Sequence, residues 1–151
     1  MGAIVCATRG GKASRATQEK AIALAKERGA RLVFLCIVDP GFAGPVDESL
    51  ACALDGELKR LGRSLLCIAQ ARAQQQGIDA ETVVRSGKVA KTIEATLEEL
   101  GADTLVIGAP GAGSRTEAFG SKDINRLTEA VRQSTGVEVV LVLSEPAQGA
   151  Q

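Results

Sequence analysis

Histidine, tyrosine and tryptophan are absent from this chain of 151 residues, and three phenylalanines supply all of its aromatic rings. Without histidine, no Ser-His or Cys-His catalytic pair and no His-ligated metal site can form. Three phenylalanines cannot build the stacking platforms that usually hold single-stranded nucleic acid. We therefore predict no catalytic residue and no metal ligand set.

An excess of charge of either sign is also missing, because 18 Lys and Arg residues balance 18 Asp and Glu residues. A neutral surface does not attract nucleic acid or membrane as a whole. No apolar stretch approaches the roughly 18 residues of a membrane span. The apolar run in "MGAIVCATRG" is too short for a signal peptide. We expect a cytoplasmic protein with no nucleic-acid or membrane partner.

The chain has four cysteines, and no two of them form a C-x-x-C pair. Each lies in an apolar or helical run, so we expect small buried hydrophobic residues with un-ionised thiols. Cys52, near the start of a predicted helix, is the expected exception. A zinc site or a reactive thiol is the alternative.

Five short runs rich in Val, Ile and Leu predict strands at 3–8, 31–38, 81–85, 103–109 and 137–143. Continuous apolar strands are typical of a parallel sheet that is buried on both faces. Helical periodicity fills the gaps, at 15–28, 47–76, 89–100 and 122–134. The alternation predicts one α/β domain over residues 1–144, with helices on both faces of an open parallel sheet. We expect a flexible C-terminal tail over 145–151.

The predicted helices show which faces should be buried. The first places Thr17, Ala21, Leu24 and Ala25 on one face. The long helix carries an apolar stripe at steps of three and four, which we predict to face the core: Leu50, Leu54, Leu58, Leu61, Leu65, Ile68 and Ala71. Glycines follow the helices where C-terminal caps are expected, namely Gly29, Gly77, Gly101 and Gly136.

Ligands of open α/β sheets bind beyond the carboxyl ends of the strands, which makes the loops at 8–15, 39–46, 85–88 and 109–121 relevant. Two of these loops are basic, with Arg9, Lys12 and Arg15 in one and Arg85 and Lys88 in another. These residues predict a basic rim on a neutral molecule. Charges that are simply solvated are the alternative.

The most unusual stretch is "VIGAPGAGSRTEAFGSKDINRL", residues 106–127, which carries Gly108, Gly111, Gly113 and Gly120 between a strand and a helix. Glycine costs backbone entropy, so the loop either makes tight turns or lets a ligand approach its backbone. The standard phosphate-binding motifs do not fit this chain. The sequence "GGK" at 10–12 resembles the end of a P-loop, but Ala13 stands where that motif requires Ser or Thr. A Rossmann fingerprint that starts at Gly111 fails as well.

A third pattern does match. Gly108-Ala-Pro-Gly111, eight residues and then Gly120-Ser121 resemble the G-x-x-G, spacer and G-[ST] motif of the universal stress protein family. The opening "IVCATRGG" and "RLVFLCIVDP", the segment "VVRSGKVAKTIEATLEELGADTLVIGA" and the closing "VEVVLVL" are similar to the family in the same order. The resemblance covers about 140 residues of the chain.

The resemblance implies a five-stranded parallel sheet in the order 3-2-1-4-5, of the adenine nucleotide alpha hydrolase-like type. It also implies a homodimer and a regulatory role in stress response. The implied ligand is an adenine nucleotide, with ATP favoured, with or without Mg²⁺, held between strands 1 and 4. Glycine amides at a helix N-terminus suit phosphate oxygens. The residues expected to bind it are Thr8, Arg9, Lys12, Val38, Gly108, Gly111, Gly120 and Ser121.

Three positions differ from the family's ATP-binding pattern, namely Arg9, Pro110 and Asp123. They leave an alternative open, a homologue that binds no nucleotide and acts as a dimeric interaction scaffold. An enzyme is the weakest hypothesis, with slow ATP hydrolysis at most. In either leading hypothesis, "VEVVLVL" is an edge strand under the implied topology, and we expect it to pair with its copy in a homodimer.

Overall fold

The computed structural model describes residues 2–8, 12–38, 48–109 and 121–143. Strands and helices alternate along these segments. In chain order they are β1 (Ala3–Ala7), α1 (Lys12–Arg28), β2 (Arg31–Val38), α2 (Glu48–Gln75), β3 (Glu81–Ser86), α3 (Val89–Leu100), β4 (Ala102–Ala109), α4 (Ser121–Thr135) and β5 (Glu138–Leu143). The five predicted strands and four predicted helices are confirmed, with ends shifted by at most three residues.

All neighbouring strands pair in parallel, in the order β3-β2-β1-β4-β5. This is the predicted order. In the central pair, Cys6 lies opposite Phe34 of β2 on one side and Val106 of β4 on the other. The edges of the sheet are β3 and β5.

Alternate side chains of each strand enter two separate cores, as the two-residue period of a strand requires. Ile4 and Cys6 join the core that includes buried residues of α1 and α2, such as Ala21 and Leu66. Val5 joins the other core, which includes Ile93 of α3 and Val131 of α4. Helices therefore cover both faces of the sheet, and the predicted layer arrangement is confirmed.

The helices end at the predicted glycines, because Gly29, Gly77, Gly101 and Gly136 all have positive φ angles, between 62° and 82°. After α3, the N–H of Gly101 bonds the carbonyls of Leu97 and Glu98. A residue with a Cβ atom is strained in this left-handed conformation, which explains why glycine stands there.

The predicted buried face of α2 is only partly right, because Leu58 packs against the core and Leu54 and Leu65 are partly buried. Leu50, Leu61 and Ile68 of the apolar stripe are 55%, 57% and 51% exposed. The residues of α2 that lie against the sheet are Gly62, Leu66, Ala69 and Ala73. A Cβ on Gly62 would lie 3.2 Å from the Sγ atom of Cys36. Small residues let the helix backbone approach the sheet closely, so they mark the packed face although they are less hydrophobic than leucine.

The cysteines divide into two pairs. Cys6 and Cys36 lie in strands and are buried, as expected. Burial raises the pKa of both thiols above the ordinary value, because a thiolate loses its hydration there. Cys52 and Cys67 of α2 are exposed. The expectation that Cys67 is buried is therefore wrong, since it lies on the side of α2 away from the sheet, whereas the exposure of Cys52 agrees with the expected exception.

Candidate functional site

The order of the strands reverses between β1 and β4. The chain leaves β1 through α1 on one face of the sheet, and it leaves β4 through α4 on the other face. β1 and β4 are hydrogen-bonded neighbours, with Ala7 opposite Ile107. Two neighbouring strands whose connections diverge leave a crevice at their carboxyl ends. Thr8 follows β1 at this end, and Gly108 is the next-to-last residue of β4.

Thr8 is buried, and its hydroxyl belongs to a chain of hydrogen bonds that crosses two helices. The Nε2 atom of Gln18 donates to Thr8 Oγ1 at 3.0 Å, and the Nη1 atom of Arg72 donates to Gln18 Oε1 at 2.6 Å. Since a guanidinium only donates, it fixes the orientation of the Gln18 amide. Thr8 Oγ1 must then accept from Nε2, so its own hydrogen points in another direction. Its backbone N–H donates to the carbonyl of Leu35 at 2.9 Å.

Neither Gln18 nor Arg72 was predicted from the sequence as a site residue. Gln18 is 3% exposed, and it lies on the same helix face as Ala21 and Ala25. A polar side chain on an apolar helix face is a signal that could have been noticed, because a buried amide requires partners. Arg72 comes from a distant helix, and no local pattern identifies it.

Gly108 packs against α1. A Cβ atom at this position would overlap the side chain of Thr17, with Oγ1 as the nearest atom. The absence of a side chain at Gly108 thus lets α1 approach β4. This contact supplies a structural reason for the first glycine of the G-x-x-G motif, independent of any ligand.

Val38 ends β2 and is 8% exposed. Its carbonyl accepts a hydrogen bond from the N–H of Gly87 at 3.0 Å, which ties the end of β2 to the turn after β3. Gly87 has a φ angle of 144°, and a Cβ there would lie 2.8 Å from Thr92 Oγ1. Gly87 therefore shapes the carboxyl end of the sheet, where Val38 also lies. It lies in the predicted loop 85–88, but no role was predicted for it.

The predicted basic rim is partly neutralised. Arg15 lies 3.2 Å from Glu19, and Arg85 donates to Glu99 at 2.7 Å. Both pairs are exposed, and such pairs contribute little to stability. They nevertheless balance two of the positive charges assigned to this rim, while Lys88 is exposed.

An acidic group also lies at the carboxyl end of the sheet. Asp55 of α2 accepts a hydrogen bond from Ser86 Oγ at 2.6 Å and lies 3.1 Å from Lys59 Nζ. The hydrogen bonds from Ser86 and Lys59 hold the pKa of Asp55 below its usual value. This pair links the start of α2 to the end of β3.

Three of the predicted site residues lie outside the described residues, namely Arg9, Gly111 and Gly120. Lys12 is the first residue of α1 and Ser121 the first of α4, and only their backbone is described. Within residues 2–8, 12–38, 48–109 and 121–143, no group of three metal-ligating side chains occurs. In the same segments, no helix combines the length and the apolar character that crossing a membrane requires.

The sheet order and the crevice define an α/β protein with a doubly wound parallel sheet. The model of the universal stress protein family matches residues 1–146. The chain belongs to this family. Among curated proteins, none matches its sequence.

Solved structures of universal stress proteins are similar to this chain over almost all of its length. The protein UspA from Lactobacillus plantarum is 21% identical with a TM-score of 0.73, over 93% of this chain and 97% of that chain. A universal stress protein in complex with cAMP is 22% identical with a TM-score of 0.67, over 95% and 97%. One from Archaeoglobus fulgidus in complex with dAMP is 18% identical with a TM-score of 0.60, over 94% and 97%. At these identities the likeness establishes the fold.

Proposed function

We propose that this protein is a regulatory module that binds an adenine nucleotide, with ATP the favoured ligand, in the crevice between β1 and β4. The observation that carries the proposal is the divergence of α1 and α4 from neighbouring strands. Ligands of doubly wound sheets bind at such a reversal. Relatives of the same fold are described in complex with cAMP and with dAMP, which supports an adenosine phosphate as the ligand.

The described residues supply two kinds of group for such a ligand. The first turn of α4, from Ser121, carries backbone N–H groups that have no partner within the helix, and the helix dipole there favours a phosphate. The Thr8 hydroxyl accepts a hydrogen bond from Gln18, which directs its own hydrogen elsewhere. That hydrogen can be donated to an acceptor such as a ribose or phosphate oxygen. Arg9, Lys12, Gly111 and Gly120 complete the proposed site.

Calorimetric titration of ATP, ADP and AMP into the purified protein tests this proposal. We expect ATP to bind most tightly, because its phosphates meet the helix N-terminus and the basic first loop. Thr8→Val and Ser121→Ala each remove one hydroxyl. The loss of a hydrogen bond to a charged group costs about 1.5–3 kcal/mol, or roughly ten- to a hundredfold in affinity. Backbone amides remain in Ser121→Ala, so its loss should fall at the low end.

Thr82→Val is the matched control, because Thr82 is exposed and lies near the start of β3, at the end of the sheet away from the crevice.

Gly111→Val should weaken nucleotide binding more than Ser121→Ala if a ligand approaches the backbone at Gly111. An absence of nucleotide binding by the wild type would refute the proposal and favour the scaffold hypothesis. Equal affinities for AMP and ATP would remove the role assigned to the phosphates.

The protein is also proposed to be a homodimer through β5. β5 is an edge strand, and its central residue Leu141 is 36% exposed. Val139, Val140 and Val142 are only partly buried within one chain. A long apolar edge strand left bare invites pairing with another strand. A two-fold axis beside β5 would pair it antiparallel with its copy and cover these side chains.

A further inference from the structure

A buried hydrogen bond lies at the carboxyl end of β1, on the face of the sheet that α1 covers. Thr8 extends the parallel ladder past β1, because its N–H donates to the carbonyl of Leu35 at 2.9 Å. Side chains alternate along a strand, so Thr8 lies on the same face as Cys6. Thr8 and Gln18 are 4% and 3% exposed, so the hydrogen bond between them is shielded from bulk water.

The direction of this hydrogen bond is set by Arg72. A glutamine amide has a donating and an accepting end, and a threonine hydroxyl can bond to either of them. Arg72 decides between the two, because its Nη1 atom lies 2.6 Å from Gln18 Oε1 and a guanidinium can only donate. The NH₂ group of Gln18 therefore faces Thr8. With the amide reversed, the Thr8 hydroxyl would have to donate its hydrogen to Gln18.

The charge of Arg72 is not matched by a carboxylate in the described segments. Arg72 is partly buried in α2, and none of the ion pairs within residues 2–8, 12–38, 48–109 and 121–143 includes it. Its hydrogen bond to Gln18 joins residues that are 54 positions apart. A single guanidinium from α2 thus controls the orientation of an amide on α1.

We propose that Gln18 and Arg72 are positioning residues of the nucleotide site, which keep the Thr8 hydroxyl available as a hydrogen-bond donor to a ligand oxygen. The inference rests on the proposed function, in which Thr8 contacts the nucleotide. A phosphate oxygen only accepts at neutral pH, and a ribose oxygen can accept as well. A hydroxyl that donated to Gln18 would turn its lone pairs toward these oxygens. Gln18 and Arg72 therefore act on the ligand through Thr8.

Gln18→Glu tests the proposal, because it reverses the hydrogen bond at nearly constant side-chain size. A carboxylate only accepts, so the Thr8 hydroxyl has to donate to it. The Arg72 guanidinium remains as its partner and keeps the new carboxyl ionised at neutral pH. In calorimetric titration, ATP should bind this variant about tenfold more weakly than the wild type. Circular dichroism checks that the variant is folded.

Two controls separate hydrogen bonding from the added charge. In a Thr8→Val background no hydroxyl is left to turn, so Gln18→Glu should cost much less affinity for ATP. An equal loss in that background would show that charge alone repels the ligand and would overturn the proposal. Gln74→Glu adds the same charge at an exposed position of α2 and should leave the affinity unchanged.

Adenosine identifies the oxygen that accepts from Thr8, because it carries no phosphate. A loss of adenosine affinity in Gln18→Glu as large as the loss for ATP assigns the hydrogen bond to the ribose. A loss that occurs with ATP and not with adenosine assigns it to a phosphate.

Gln18→Met provides a second variant in case Gln18→Glu does not fold. It removes both hydrogen bonds of the amide and leaves the Thr8 hydroxyl free to turn toward a ligand. ATP should therefore bind Gln18→Met more tightly than Gln18→Glu. A role of Gln18 in stability alone predicts the reverse order, because methionine loses the contact with Arg72 that a carboxylate keeps.

Arg72→Met tests the control of the amide. Without the guanidinium, both amide orientations can bond Thr8, and equal populations would lower the affinity for ATP about twofold. Arg72→Lys supplies a donor and should restore the wild-type affinity. A loss that Arg72→Lys does not restore would overturn the role of Arg72.

The wild type distinguishes the two levels of the proposal. Wild-type protein that binds no nucleotide would refute the proposed function, and with it the role of Gln18. If the wild type binds ATP and Gln18→Glu binds it with the same affinity, the nucleotide site stands and only the role of Gln18 is overturned.

Discussion

The backbone of Gly108 lies so close to the side chain of Thr17 that a Cβ atom would overlap the Thr17 hydroxyl. Thr17 is buried in α1, and Gly108 stands near the end of β4, so this contact sets the spacing between the helix and the strand. The same strand end borders the proposed nucleotide crevice. A single glycine thus has a packing role within the motif by which the family is recognised.

Gly108→Ala should lower the free energy of unfolding by about 1–3 kcal/mol, because overpacking forces α1 away from β4. Chemical denaturation measures the change. Gly56→Ala is the matched control, since Gly56 lies inside α2 with open space around it. That substitution should stabilise the protein by about 0.5–1 kcal/mol through helix propensity.

A rescue variant separates the Thr17 contact from other effects. Thr17→Ala removes the overlapping hydroxyl, so Gly108→Ala should cost less in that background. An unchanged cost would mean that the overlap with Thr17 does not limit this position.

The hydrogen bonds from Arg72 to Gln18 and from Gln18 to Thr8 should be energetically coupled. Arg72→Met leaves the buried Gln18 Oε1 without its donor, which should cost about 1–3 kcal/mol of stability. In a Gln18→Leu background the same substitution should cost at most about 0.5 kcal/mol, because the acceptor is already gone. Denaturant unfolding of the four proteins of this cycle gives the coupling. Additive effects would show that the chain of hydrogen bonds does not act as a unit.

Much of the fold could be predicted from the sequence, because local patterns determine it. The bounds of α3 agree with the predicted 89–100, since its apolar period and its terminal glycine give the same end. In α1, Thr17, Ala21 and Leu24 are buried as predicted. There the predicted apolar face and the packed face are the same.

The face of α2 could not be predicted in the same way. Periodicity locates the most hydrophobic stripe of a helix, whereas the packed face depends on how closely the sheet can be approached. Gly62 and Ala69 carry little hydrophobic signal, yet they allow the closest contact. In the candidate site, Thr8 was expected from the family resemblance, but its connection to Arg72 joins residues that are 64 positions apart.

Two of the four thiols should react quickly in the native protein. Cys52 and Cys67 are exposed, whereas Cys6 and Cys36 are buried with raised pKa values. A thiol-specific reagent should therefore modify two equivalents at once and two more only after unfolding. Cys67→Ser should remove one fast equivalent. Three or four fast equivalents in the native protein would contradict the burial of the strand thiols.

The buried thiols also predict how stability depends on pH. Below the unfolded thiol pKa of about 8.5, both states keep these protons and the thiols have no effect. Above it, the unfolded chain loses protons that the folded chain keeps, so the free energy of unfolding falls as the pH rises toward the raised pKa values. Cys36→Ala removes one of these groups, and its stability should fall less steeply with pH. The same slope in the variant and the wild type would exclude Cys36 as a cause.

The proposed β5 interface predicts a dimer that Leu141→Lys disrupts. Light scattering of the wild type and the variant measures the mass. The wild-type protein should have twice the chain mass at micromolar concentration. Leu141→Lys should have the mass of one chain, because a lysine at the centre of β5 would have to be buried against its copy without a partner. Thr82→Lys places the same charge at an exposed position of the other edge strand, β3, and should remain a dimer. A wild-type protein that is monomeric, or a Leu141→Lys variant that stays dimeric, would contradict pairing through β5.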